Sequence, residues 1–280
     1  MIELLDYILD YDDNFWIMNE LIGNKPKGFI VYKVDKNGNR FNNITKKRYI
    51  KLQNNGEVEL PQKYKMIFKP QEFYKNNKKN LKGIWKKYVD VLNEIGIKDE
   101  DIGIFGSYLI GFDIIKDVDF IIYGIDNLNS YRANNYYIKE KTNTGFITKK
   151  HVEHQYGRYK DKYPKECDLK KIIKRNWSGI QVKEGVLSTP RFIDKNFTNI
   201  PEKEGEDKLI KVKVIDGTKS DLLPRVADVL YNGIIYKIIT QMWKFQSFAR
   251  DGDEMWIYGN VNEDKKIIIL DEYKYYIKFV

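Results

Sequence analysis

Residues 101–124, DIGIFGSYLIGFDIIKDVDFIIYG, decide how this chain is read. A short apolar run (Ile102, Ile104, Phe105) ends in the pair Gly106-Ser107. A spacer with a second glycine, Gly111, leads to Asp117 and Asp119 at the head of another apolar run, Phe120 to Tyr123. Side chains two apart in a strand share a face, so the spacing predicts two carboxylates aimed at one point beside the Gly-Ser turn. Paired oxygen ligands suit a hard divalent cation, and a glycine turn lets phosphate oxygens approach backbone N–H groups. Before this stretch, Ile84, Trp85, Tyr88, Val89, Leu92 and Ile95 fall at helical spacing, and Gly96 stands where a C-terminal cap belongs.

The order of helix, strand with Gly-Ser, and strand with paired aspartates resembles the polymerase-beta-type nucleotidyltransferase superfamily. GSYLIGFDIIKDVDF (residues 106–120) carries that resemblance. More narrowly, GSYLIG…VDFIIYG is similar to a group of prokaryotic, largely archaeal, predicted nucleotidyltransferases with β-rich modules at both ends. The specific match covers about twenty residues, and elsewhere the likeness is one of architecture. It implies metal-dependent transfer of a nucleoside monophosphate from an NTP or dNTP to a hydroxyl acceptor, nucleic acid foremost. Asp117 and Asp119 would hold Mg²⁺ or Mn²⁺, Gly106 would keep the turn tight, and Ser107 would bind a terminal phosphate. Lys116 is a candidate phosphate contact or an ion-pair partner of the aspartates. Two-metal transfer in this superfamily generally takes a third carboxylate from a later strand. Asp194, closing GVLSTPRFID, is the first choice and completes the candidate catalytic set; Asp216 is its rival, with Glu184 and Asp168 behind them. Two alternatives stand beside this reading: a nucleic-acid-binding protein that keeps the fold without the chemistry, and a nucleotidyltransferase that modifies proteins.

Outward from this centre, three segments are expected. Residues 1–78 read as a β-rich module, 79–204 as the nucleotidyltransferase-type core with a mixed sheet and flanking helices, and 205–280 as a β module. The fold class is therefore α+β. In the first segment Ile2, Leu5, Ile8 and Leu9 suggest a short helix. Gly23 and Pro26 mark a turn, and GFIVYKV, KRYIKL and Val58 to Leu60 read as strands around an Asn37-Gly38 hairpin turn. In the last segment, after a charged loop (Glu202 to Asp207), the strand-like runs are 209–215, 234–245, 254–261, 266–270 and 273–280. Gly-containing turns at Asp216, Asn232 and Asp251 help to separate them. That pattern predicts a compact antiparallel barrel, with a resemblance to OB barrels.

Between them, Asp126 stands as the N-cap of a further helix, and residues 148–162 and 168–176 read as basic helices. Tyr156, Tyr159, Tyr163 and Trp177 are interleaved with their lysines and arginines. Cations beside stackable rings suit RNA or single-stranded DNA, against the plainer alternative of surface helices burying their tyrosines. The net charge of +9 fits a polyanionic partner, although the abundance of Lys, Asn, Ile and Tyr is also what an AT-rich coding sequence produces. His151, His154 and the single Cys167 match no zinc-ligand spacing. One cysteine leaves no internal disulfide framework and fits a reducing cytoplasm. The acidic opening lacks the basic flank of a signal peptide, no apolar run reaches the ~20 residues of a membrane span, and no membrane partner is expected.

Overall fold

A computed structural model describes residues 2–22, 25–52, 58–115, 117–145, 148–175, 181–182, 187, 190–196 and 200–280. Gly23, Lys116, Trp177 and Glu184 lie outside the described residues. The chain divides into two compact units. The first is Met1–Thr144 with Gln181–Arg191 and Thr198–Pro201; the second is Gly145–Ile180, Phe192–Phe197 and Glu202–Val280. Mixed helices and sheets make the class α+β.

The first unit opens with seven strands: β1 (Tyr7–Leu9), β2 (Phe15–Ile22), β3 (Lys25–Val34), β4 (Arg40–Phe41), β5 (Arg48–Lys51), β6 (Val58–Glu59) and β7 (Met66–Phe68). They pair antiparallel in the order β4-β5-β3-β2-β1-β7, with β6 on β3, and the sheet curls into a half-barrel. The expected helix over the first ten residues is not formed. Leu5 sits in the left-handed region at φ 68°, which no right-handed helix accommodates. Leu5 N–H bonds to the Met18 carbonyl at 2.9 Å and Met18 N–H to Asp6 at 2.9 Å, so pairing with β2 claims the backbone that a helix would need.

Helices α1 (Pro70–Asn77) and α2 (Gly83–Glu94) follow. α2 buries Tyr88, Val89, Val91 and Leu92, four members of one helical face, and ends at Gly96, whose φ of +88° closes the last turn. β8 (Ile102–Phe105) then runs antiparallel to β9 (Asp119–Tyr123) with Phe105 opposite Asp119. α3 (Ile125–Ala133) and α4 (Asn135–Thr142) complete the unit's helices. Asp126 lies inside the first turn of α3 and the N-cap is Gly124, so the expected side-chain cap is absent; a carboxylate in the first turn still complements the helix dipole.

In chain order, two short strands, β10 (Thr144–Gly145) and β11 (Gln181–Val182), bracket the basic helices α5 (Lys149–Tyr159) and α6 (Leu169–Arg175). Thr148 caps α5 by accepting a bond from His151 N–H. β12 (Arg191–Ile193) pairs parallel, through Phe192 and Ile193, with β14 (Leu222–Leu223). The remaining strands are β13 (Glu206–Asp216), β15 (Arg225–Tyr231), β16 (Ile234–Thr240), β17 (Glu254–Asn262), β18 (Ile267–Ile269) and β19 (Tyr276–Phe279).

Five of them close a barrel in the order β13-β15-β16-β18-β17, with β17 returning to pair β13 along eight residues. Two expectations are corrected here. β15 is an unanticipated strand, because its arginine and aspartate interrupt the short apolar run of Val226, Ala227 and Val229. The barrel is also not wholly antiparallel. β16 and β18 run parallel, since the run expected to continue from 234 to 245 stops at Thr240, and a turn through Trp243–Phe245 leads into β17 before β18 arrives. Val152, Leu169, Ile172 and Ile173 of α5 and α6 join the barrel residues in one apolar core. Among the described residues no helix is long and apolar enough to cross a membrane.

Candidate active site

The turn after β8 is fastened by the N-terminal sheet. Asn42, fully buried, donates from Nδ2 to the Ile110 carbonyl at 2.6 Å, while its Oδ1 accepts from the N–H groups of Ile44 and Thr45. Asn43 N–H reaches the Gly111 carbonyl at 2.8 Å, and Asp113 N–H reaches Phe41 at 3.0 Å. Gly111 adopts φ +78°, and a Cβ there would lie 2.8 Å from Ile44 Cδ1. Buried backbone polar groups need partners, and here a strand edge sixty-odd residues earlier supplies them.

Within that frame burial alternates through the two aspartates, the pattern that side chains sharing a face give. Val118 between them is fully buried and bridges to Leu187, Phe120 after them is fully buried, and Asp117 and Asp119 are half-buried on the other side. Gly106 sits directly against the second carboxylate. Its φ is +80°, and a Cβ would come 2.6 Å from Asp119 Oδ2. The glycine is therefore required both by its dihedral angle and by space. Ser107 follows it, nearly buried at the start of the turn.

Charge around the pair is dense. Burial raises the Asp117 carboxyl above its usual range and the neighbouring Asp119 charge adds to this, while Lys51 and Arg40 oppose it. The Tyr32 ring links these groups. Arg40 Nη1 donates to Tyr32 Oη at 2.8 Å, and Lys51 Nζ lies 5.9 Å from the ring centroid. Tyr7, fully desolvated, has its hydroxyl pushed well up, with Arg191, Asp119 and Arg40 all close enough to act on it. Arg191 stacks 3.9 Å over Phe105, the residue opposite Asp119. Two acids and three bases thus meet within one unit.

The other candidates have partners of their own. Asp194 belongs to the second unit and is nearly buried; its Oδ2 pairs with Lys219 Nζ at 3.0 Å and its Oδ1 accepts from Asn196 N–H. Asp216 accepts from Thr218 N–H at 2.8 Å, which holds its carboxyl below the usual range. Asp168 accepts from Phe279 N–H at 2.8 Å, tying α6 to the last strand. Among the described residues, no three His, Cys, Asp or Glu side chains converge as a metal site would require. The residues that sequence reasoning missed are Tyr7, Tyr32, Arg40, Lys51 and Arg191. They carry no motif, because strand pairing rather than spacing brings them in.

The basic helices also differ in detail from an open stacking surface. Tyr163 is buried, and Tyr156 and Tyr159 pack against the barrel core. Lys170 covers Tyr156, while Arg158, Lys162 and Lys244 approach Tyr159. The exposed residues of α5 include Lys149, Lys150 and Arg158 together with Glu153 and His154.

Set against protein-family models, curated proteins and solved structures, the chain matches none.

Proposed function

We propose that the protein is a metal-dependent nucleotidyltransferase that moves a nucleoside monophosphate from a nucleoside triphosphate to a hydroxyl acceptor, nucleic acid being the favoured one. The observation carrying this is Gly106 seated against Asp119, with Asp117 on the same face and cations of the N-terminal sheet around the pair. A Cβ-free approach beside two half-buried carboxylates fits a divalent cation, Mg²⁺ or Mn²⁺, which Asp117 and Asp119 would hold. When bound, such an ion supplies Lewis-acid stabilisation of charge on the phosphoryl oxygens.

The chain's own residues have roles that do not depend on that ion. Ser107 offers its N–H and hydroxyl to a terminal phosphate. Arg40 and Lys51 offset the negative charge of a triphosphate brought close to two aspartates, which would otherwise repel it. In the second unit, the closed barrel with its parallel third and fifth strands is OB-like in order, an architecture that binds oligonucleotides. This supports a nucleic-acid acceptor over a protein one.

The engagement of Asp194 by Lys219, and the lack of a described third carboxylate, favour a second reading: nucleotide and nucleic-acid binding without turnover. Purified protein incubated with labelled triphosphates and an oligonucleotide separates the two. The enzyme reading expects Mg²⁺- or Mn²⁺-dependent labelling that Asp117→Ala and Asp119→Ala abolish. Labelling that persists in both variants overturns it; binding with no labelling establishes the second reading.

A further inference from the structure

The second unit holds a group of cations that the active-site reading does not use. Lys244 lies in the turn between β16 and β17, next to Phe245, which is fully buried against Tyr163 with their rings 5.6 Å apart. Its ammonium is thereby pressed onto α5. It donates to Gln155 Oε1 at 2.8 Å and lies 3.9 Å from the centroid of Tyr159. Arg158, on the same helix, is 5.4 Å from that ring. Arg225, at the head of β15, is 1% exposed, and His151 lies one turn before Gln155 on α5. Among the described residues neither Lys244 nor Arg158 forms an ion pair with a carboxylate.

Such a gathering is costly by itself. A desolvated ammonium loses hydration that one amide oxygen and a ring face only partly replace. Like charges nearby add to the cost instead of relieving it. Burial, then Arg158 and Arg225, bring the Lys244 amine down to about 7. Burial and the Lys244 charge also lower His151. Two other lysines of this unit behave differently. Lys208 lies between Glu206 and Glu263, Lys274 between Asp207 and Glu272, and both are raised. What sets Lys244 apart from these two is burial beside other cations, with no carboxylate paired to it among the described residues.

We infer that Lys244, Arg158, Gln155 and His151 form a phosphate-binding site on the second unit. The oxyanion belongs to a nucleic-acid backbone or to a nucleoside phosphate; both present the same oxygens to the same donors. Gln155 is the orienting group, because its amide holds the lysine amine against Tyr159 until an anion takes over. Binding restores the positive charge of Lys244 and draws in a proton near neutral pH. This inference is independent of nucleotidyl transfer.

The test is amine labelling of the wild-type protein at pH 7.5, with mass spectrometry to follow the modification rate of each lysine. An amine that is substantially neutral at that pH reacts faster than the exposed lysines, so Lys244 is expected to stand out. Inorganic phosphate should slow Lys244 alone by about tenfold at saturation, the effect of one strong charge-assisted contact. Parallel arms use adenosine triphosphate and a single-stranded oligonucleotide. Protection by the oligonucleotide at low concentration, lost with added salt, assigns a nucleic-acid backbone; protection by the triphosphate alone assigns a nucleotide. In the binding arm, Lys244→Met should weaken the protecting ligand about tenfold, while Lys211→Met, at an exposed lysine of the same unit paired with Glu254, should not. Lys244 reactivity unmoved by all three anions overturns the site, whether or not the Lys244→Met variant folds.

Discussion

The two units pose opposite electrostatic problems. In the first, Asp117 and Asp119 crowd together and burial raises Asp117, yet Arg40 and Lys51 stand close enough to offset part of the cost. In the second, Lys244 is crowded by Arg158 and Arg225, and among the described residues no carboxylate is paired with it. The contrast teaches that half-burial alone does not mark a site. What marks it is like charge gathered where a carboxylate or a cation of the fold could have stood. On the proposed reading the first gathering would take a cation with an anionic substrate, and the second an anion alone.

The largest effect expected from this contrast is loss of metal-dependent labelling by at least about a hundredfold in Asp119→Ala, the order seen when a group that stabilises phosphoryl charge is removed. Oligonucleotide binding through the second unit should be unchanged in the same variant. If both fall together, the units do not act separately.

Next comes Gly106→Ala. With φ at +80° and Asp119 Oδ2 2.6 Å from the added carbon, it should cost on the order of 3 kcal/mol in urea denaturation. It should also weaken Mn²⁺ binding, read by the paramagnetic signal of the free ion. A variant as stable as wild type would mean the turn tolerates a side chain and the cradle is not tight.

Asn42→Ala should cost about 2 kcal/mol, because it leaves the Ile110 carbonyl and two N–H groups without their partner in a dry place. Its signature is hydrogen exchange: amides of the turn after β8 should lose protection while those of the barrel keep theirs.

The smallest effect is a slope. Asp6 is buried, and its carboxyl is raised to about 7, chiefly by desolvation. Its folded state holds a proton that the unfolded chain gives up near pH 4, so its contribution to stability is lost as pH rises toward 7. Lys244 is lowered to about 7, so the unfolded chain holds the extra proton and stability rises between pH 7 and the ordinary lysine range. Neither slope can exceed about 1.4 kcal/mol per pH unit. Asp6→Asn should flatten the first window and Lys244→Met the second, as measured by denaturant midpoints across pH. An unchanged profile in either variant would show that its group is solvated.

Much of the frame was legible in the sequence because its signals are local. The 3.6-residue stripe of α2 and the cap at Gly96 depend on neighbours a turn away. The shared face of Asp117 and Asp119 follows from the two-residue period of an extended chain, and the Gly-Ser turn from the freedom of one glycine. The first ten residues misled for the same reason. Their apolar spacing is helical, but the partner that decides, Met18, lies across a turn.

What spacing could not supply is everything that a strand edge brings from afar. Arg40 and Lys51 reach the aspartates because β4 and β5 join a sheet whose neighbouring loop binds the turn after β8 through Asn42. Lys244 meets Gln155 and Tyr159 because Phe245 is driven into the barrel core and takes the lysine with it. Asp194, a candidate ligand by order along the chain, is paired with Lys219 by a contact that no spacing announces. A sequence period fixes which side chains share a face of one element. Which charges then meet across elements depends on strand order and core packing, and in this protein those bring together both the mixed charges around the aspartates and the unbalanced cations around Lys244.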